Sequence, residues 1–412
     1  MRKGLLFFSL VLLLILAGCS DPYAELSEEY NLETDYPVSF FEGSGGPFVA
    51  PAPGGYYAFI GQYLHFIDGE TLDAVPLCNK PECRHMNESD SSRIPDCNAY
   101  FSVDQTPFLQ YYEGKIYVSV NYWASAEDAK TRNALVRVSP DGENREYLCQ
   151  LEKGQYFSYA IHRGYLYCYV ISADGVAELT RTLIRNLRSE AEVLFTESTV
   201  STMFRPLFYG NHLYLNQCTI ESGTRFNNQI WDIDLVSGEK SPILGSAGMS
   251  ARGEYEAVAK YQNSLLLVES MVDSARYDLC NLLTPEFMIL DEYQVDMDYA
   301  DGYSLMELMR ADASTLYTRR SEYKDGKRTD LFTLKTASGE KELFVEELPS
   351  WSFFCAGDSK YMFLYSMDSG FNYTLYAMDK ADDTLILTEV ISLAQSQAFP
   401  EMNTLPFISG LD

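Results

Sequence analysis

Cations, histidine and tryptophan are all scarce in this chain of 412 residues. Lys and Arg number 31 against 59 Asp and Glu, a formal net charge of −28, and there are only 4 His and 3 Trp. A surface so short of positive charge repels phosphate backbones and anionic lipid headgroups, which argues against nucleic acid as a partner. Two catalytic signatures are missing as well: no G-x-S-x-G turn presents a nucleophilic serine, and no G-x-x-x-x-G-K-[ST] loop cradles a phosphate. Beyond the first 19 residues no stretch is apolar enough to span a bilayer as a helix, which takes about 20 apolar residues.

What is present begins at the N-terminus. Arg2 and Lys3 precede a greasy run from Leu5 to Leu16 interrupted only by Ser9, the pattern of an export signal and too short for a permanent span. The run ends in Leu16-Ala17-Gly18-Cys19, which resembles the bacterial lipobox. That resemblance implies cleavage after residue 18, a diacylglycerol on Cys19, and a protein held at the outer face of the cytoplasmic membrane. Several acyl chains, at about 0.8 kcal/mol per buried methylene, anchor far more firmly than one. Loss of Arg2 and Lys3 with residues 1–18 would move the charge from −28 to about −30, so the anchor has to be the lipid rather than electrostatics. The stretch from Cys19 to residue 45 is acidic and without a sustained period; it reads as a tether.

Hydrophobic residues make up 46% of the chain and aromatics 14%, with 31 Tyr, ample for a core and suited to pleated surfaces. Seven short alternating runs recur along it: "GGYYAFIG", "GKIYVSVNY", "GYLYCYVIS", "GNHLYLNQ", "NSLLLVES", "STLYTRR" and "DSKYMFLYS". Several are followed by a second run that closes on a polar, glycine-bearing turn, as in "YLHFIDGE", "LVRVSPDGE", "IWDIDLVSGE" and "LFTLKTASGE", so each pair reads as a hairpin. The glutamates after the turns, Glu143, Glu239 and Glu340, stand 96 and 101 residues apart, with further marks at Glu190 and at Asp291-Glu292. A period near 50 with four strands per period describes an all-β fold, the β-propeller, here of seven blades, with six or eight as the alternatives. Two packed β domains would lack the steady period. The ring is expected over residues 46–400, leaving 401–412 as a tail.

The first interval breaks the rule. Glu70 and Glu143 are 73 residues apart, and the surplus matches the length of residues 78–100, "CNKPECRHMNESDSSRIPDCNAY". That segment is therefore an insertion between the outer strand of blade one and the inner strand of blade two, a connection that emerges on the binding face of propellers. A segment of this kind after the first blade, together with the blade pattern "IYVSV…ALVRVSPDGE", resembles the β-propeller lipoproteins of Gram-positive, anaerobic gut bacteria. The resemblance implies a location and a fold, not an activity.

Cys78, Cys83, His85 and Cys97 follow the spacing C-x4-C-x-H-x11-C. Three thiolates and an imidazole suffice for a closed tetrahedral zinc shell, and a metal bond would fix a polar loop too short to bury a core of its own. The alternatives are a Cys–Cys bridge with a spare thiol, or a redox role. Zinc knuckles share the residue order, but their spacing is tighter and they serve nucleic acid, which the charge opposes. Cys149, Cys168, Cys218, Cys280 and Cys355 lie singly in or beside apolar runs and read as small core residues. His65, His162 and His212 sit in or at the start of strands as structural residues.

Acidic pairs are plentiful. Glu254 and Glu256 form one, and Asp291, Glu292, Asp296, Asp298 and Asp301 form a cluster close to a calcium loop; because Ala300 takes its fifth position and Gly302 falls one place late, it reads as a solvated acidic turn. Two functions follow. One is a non-catalytic propeller whose face binds a protein or a glycan, with tyrosines and Trp123 as contacts. The other is a carbohydrate-active hydrolase or lyase, which would need funnel carboxylates about 5 Å or 6.5 to 9.5 Å apart.

Overall fold

A computed structural model of the chain describes residues 30–36 and 49–398, apart from residues 89, 369 and 371 and stretches that connect strands. The leader, Cys19, most of the acidic stretch and residues 401–412 lie outside the described residues. Among the described residues the strands form seven four-stranded antiparallel sheets, each built from four consecutive strands. The inner strands start at Val49, Leu109, Tyr156, Pro206, Glu254, Ser304 and Trp351, which are 60, 47, 50, 48, 50 and 47 residues apart. The fold is a β-propeller.

The seven alternating runs are the seven second strands, from Gly55–Ile60 in the first sheet to Tyr361–Met367 in the last. The second runs are third strands, such as Tyr63–Asp68 and Thr131–Val138. One period mark needs correction: Asp291 and Glu292 sit within the outer strand Thr284–Gln294, and the third-to-outer turn of that sheet falls earlier, after Asn281. Two inner-to-second turns show why the hairpins close so tightly. Glu113-Gly114 and Arg163-Gly164 have φ of 43° and 70°, and of 46° and 87°; positive φ at both central residues is the type I′ turn that matches strand twist, and glycine takes the second place without a Cβ penalty.

Where the side chains are described, adjoining sheets bury their faces on each other. Tyr57 and Phe59 of the first sheet pack with Val118 and Val136 of the second. Tyr112 and Leu135 of the second meet Tyr159 and Leu166 of the third, and Tyr167 of the third meets Phe208 and Leu213 of the fourth. Tyr317 and Phe332 of the sixth meet Met362 and Leu364 of the seventh. Fully burying a side chain of this size is worth about 1.5 to 3 kcal/mol. Gln110, wholly buried, bonds the neighbouring inner strand through both ends of its amide, donating to Ile161 O at 2.5 Å and accepting from Ile161 N at 2.9 Å.

The ring closes where the seventh sheet meets the first. Val49, Tyr56 and Ile67 share a core with Phe363, Tyr365 and Leu375. Tyr56 Oη donates to Asp358 Oδ2 at 2.6 Å, and Lys360 Nζ donates to Gly69 O at 2.8 Å. A short helix, Gln395–Ala398, then crosses onto the first sheet, where Gln62 N donates to Ala398 O at 2.8 Å. Gly61 makes room for it: a Cβ there would lie 2.3 Å from Ala398 O.

Residues 30–36 come from the stretch read as a tether, and the structure seats part of it on the ring. Asn31 O accepts from Asp35 N at 2.8 Å, closing a turn that presents Asp35 to Arg163. The pair is bidentate, Nε to Oδ1 at 3.0 Å and Nη2 to Oδ2 at 3.2 Å, with side chains only 1% and 3% exposed. Tyr36 is buried against Phe208, the ring centres 5.4 Å apart.

Candidate metal centre

The insertion leaves the first sheet at Leu77, whose N–H still bonds Leu64 O at 2.8 Å, and rejoins the ring before Leu109. Its polar sequence forms short turns instead of strands. Cys78 N bonds Pro76 O at 2.7 Å and Cys83 N bonds Lys80 O at 3.1 Å, so the first two thiols stand on consecutive tight turns. His85 opens a 3-10 turn, His85–Asn87, from a left-handed backbone with φ of 50°. Asp90 caps a second one, Ser91–Asp96, by accepting from Ser92 N at 3.0 Å, and Cys97 ends it by bonding Ile94 O at 3.0 Å.

A small core holds this arrangement in place. Tyr63, Ile94, Cys97, Ala99 and Tyr100 are buried together, with Cys78, Cys83 and Met86 packed against them. Residues 99–101 run beside the second-to-third turn of the first sheet, Leu64 N bonding Ala99 O and Phe101 N bonding Gln62 O, both at 2.9 Å. The insertion thus sits at the boundary of the first two sheets.

The sequence pointed to four ligands, and the structure brings all four together. Cys78 Sγ, Cys83 Sγ, Cys97 Sγ and a ring nitrogen of His85 lie within 4.8 Å of one another, and Cys97 Sγ is 3.6 Å from His85 Nδ1. In a tetrahedral site with metal bonds of about 2.3 Å to sulfur and 2.0 to 2.1 Å to nitrogen, the sulfur–sulfur edge is about 3.8 Å and the sulfur–nitrogen edge about 3.5 Å. The donor set therefore fits a closed four-coordinate site, and the cluster can hold a metal ion such as zinc. Cys78, Cys83 and Cys97 are thiols without an S–S bond.

The electrostatics follow from burial. Burial pushes the Cys97 thiol up to about 12, helped by Cys83 and Cys78 beside it. At Cys78 burial also pulls upward, but the N–H groups of Lys80 and Asn98 and the other two thiols outweigh it, so its value falls below the ordinary thiol range. Burial lowers His85, which keeps its imidazole neutral. Three thiols this close cannot all ionise by themselves; a divalent cation reverses that balance because it stabilises each thiolate directly.

Residues that the spacing did not reveal tie the loop to the second sheet. Arg145, at the start of the outer strand Arg145–Leu151, donates to Tyr100 O at 2.8 Å and to Asn98 O, with its guanidinium 3.8 Å from the centre of the Phe101 ring. Asn79 donates to Glu143 of the second sheet's third-to-outer turn, while Lys80, bonding Asp96 O, ties the loop to itself. These partners are separated by up to 64 positions, and no local pattern marks them.

Of the other singled-out residues, His65 is buried in the third strand of the first sheet. Its Nδ1 lies 3.0 Å from Tyr63 O, which makes Nδ1 the donor, and Nε2 has no partner. His162 ends an inner strand instead of entering one. Its Nδ1 accepts from Tyr36 N at 3.1 Å and its Nε2 donates to Gly210 O at 2.8 Å, the pattern of a neutral imidazole. His212 starts the second strand of the fourth sheet and bonds Asp232 at 2.8 Å. Cys168 is half-buried against the core between the second and third sheets. Glu254, Glu256, Asp291 and Glu292 fall on strands of the fifth sheet and Trp123 ends a strand of the second, whereas Asp296, Asp298 and Asp301 lie outside the described residues.

No protein family matches the sequence, and no curated protein does. Solved structures do resemble the fold. The β-propeller domain of the Trilobed protease from Pyrococcus furiosus shares 7% identity at a TM-score of 0.49, over 87% of this chain and 98% of that one. Dipeptidyl peptidase 4 from Porphyromonas gingivalis shares 10% at 0.44, over 87% of this chain and 61% of that one. TolB from Acinetobacter baumannii shares 9% at 0.37, over 80% and 75%. Such likenesses are too distant to bear on activity.

Proposed function

We propose that this chain is a protein lipid-anchored at the outer face of the cytoplasmic membrane, Cys19 carrying the lipid, with a seven-bladed propeller that binds a protein or glycan without catalysis. In this reading each four-stranded sheet is one blade, and a zinc ion held by Cys78, Cys83, His85 and Cys97 keeps the loop on the binding face in one shape. The observation that carries it is the convergence of the four ligand atoms within 4.8 Å on a loop with little core of its own. A bound ion would supply the charge that lets the three thiols ionise, and a closed shell leaves no position for a reacting water.

The hydrolase reading needs two free carboxylates facing each other in the funnel. Asp35, which is buried, cannot serve as one, because both its oxygens are committed, Oδ1 to Arg163 and Thr34 and Oδ2 to Arg163 and Asn31. Elemental analysis of protein purified without chelators, with a thiol count in denaturant, tests the metal. About one zinc per chain and all three thiols free after its removal is the expected result; no metal and a single free thiol among the three means a disulfide loop. Cell fractionation of Cys19→Ser tests the anchor: the variant should leave the membrane.

A further inference from the structure

In an antiparallel meander, the turn from the first to the second strand and the turn from the second to the third lie at opposite ends of the sheet. The Cys/His loop sits on a second-to-third turn, residues 61–62. Residues 31–36 sit on first-to-second turns of three consecutive sheets. Glu113 N bonds Glu33 O at 2.9 Å on the second sheet, and Arg163 N bonds Thr34 O at 2.7 Å on the third. On the fourth, Arg163 Nη1 reaches Asn211 Oδ1 at 3.0 Å, while His162 links Tyr36 to Gly210. The two segments occupy opposite faces of the ring.

We infer that residues 31–36 are a strap that turns the first-to-second-turn face toward the lipid surface and the Cys/His loop away from it. The inference rests on the proposal that Cys19 carries the lipid. Twelve residues separate Cys19 from Asn31. Fully extended they reach about 40 Å, and as a flexible coil about 20 Å. To bring the other face to the membrane, the leader would have to run about 19 Å outward across four strands and then about 23 Å along a seven-residue strand before meeting lipid. That route exhausts the extended chain. The strap is also docked near the axis of the ring, on inner-strand turns, so the short leader leaves from the middle of that face.

The test uses the full, lipidated chain in phosphatidylcholine vesicles that carry a rhodamine-headgroup lipid. A donor dye is coupled to an azide-bearing residue placed at Pro53, an exposed position on a first-to-second turn, or at Glu82, exposed in the Cys/His loop. Transfer from position 53 should be at least about twice that from position 82, because the two faces are a strand length apart. Inserting 20 Gly/Ser residues after Glu29 should remove the difference. Equal or reversed transfer in the lipidated chain, or a difference that survives the insertion, overturns the strap's role. The Cys19→Ser chain separates the two readings: it should show no transfer from either position, and persistent transfer would overturn the anchor instead.

Discussion

The two irregular segments on opposite faces of the ring are held by opposite means. The strap carries its own fixative, a buried ion pair between Asp35 and Arg163 and a tyrosine sunk into the core. The Cys/His loop has a small apolar core and a cluster of ligand atoms that cannot all ionise unaided. The strap is therefore part of the folded ring, while the loop, in the function proposed above, depends on a metal ion taken from solution.

The sharpest way to break this contrast is Arg163→Ala. It strands the Asp35 carboxylate in a buried site, which should cost about 3 to 5 kcal/mol of global stability in urea unfolding; a loss below about 1 kcal/mol would mean that the strap is not integral.

Acidification comes next. Burial holds His162 and His65 down to about 4, against an ordinary value of 6.5. Between these values the unfolded chain binds protons that the native chain does not, so stability is complete above about pH 6.5 and is lost as pH falls toward 4, by up to about 3 kcal/mol per histidine. His162→Gln should remove part of that pH slope.

Loop variants should behave differently. Cys97→Ser should lower metal occupancy at least tenfold, or about 1.4 kcal/mol, and speed hydrogen exchange within residues 78–100 while the sheets keep their protection. Smallest is Asp90→Ala, which removes the cap of the Ser91–Asp96 turn and should cost about 1 kcal/mol or less, confined to the loop. A global loss of exchange protection in either loop variant would erase the distinction.

What could be seen in the sequence follows the same division. The second strands were legible because their alternation is flanked by turn residues, and third strands because a glycine turn closes them. Inner strands were not: Val49–Ala52 and Pro206–Tyr209 have four residues each, and the first is buried at every position, so it shows no alternation. The four metal-type ligands fall within 20 residues, so spacing alone assembled them. The strap hid in an acidic stretch because Asp35 and Arg163 are 128 positions apart, and no local pattern announces a partner at that distance.

Among the described residues every sheet is woven from four consecutive strands, and no strand is shared between the beginning and the end of the chain. Among those residues, the seam between the first and seventh sheets is a set of side-chain contacts and the Ala398 latch beneath Gly61. The ring is thus permutable: joining the native ends of the propeller by a peptide linker and opening the chain between any two other sheets would leave all seven sheets intact and only move the seam.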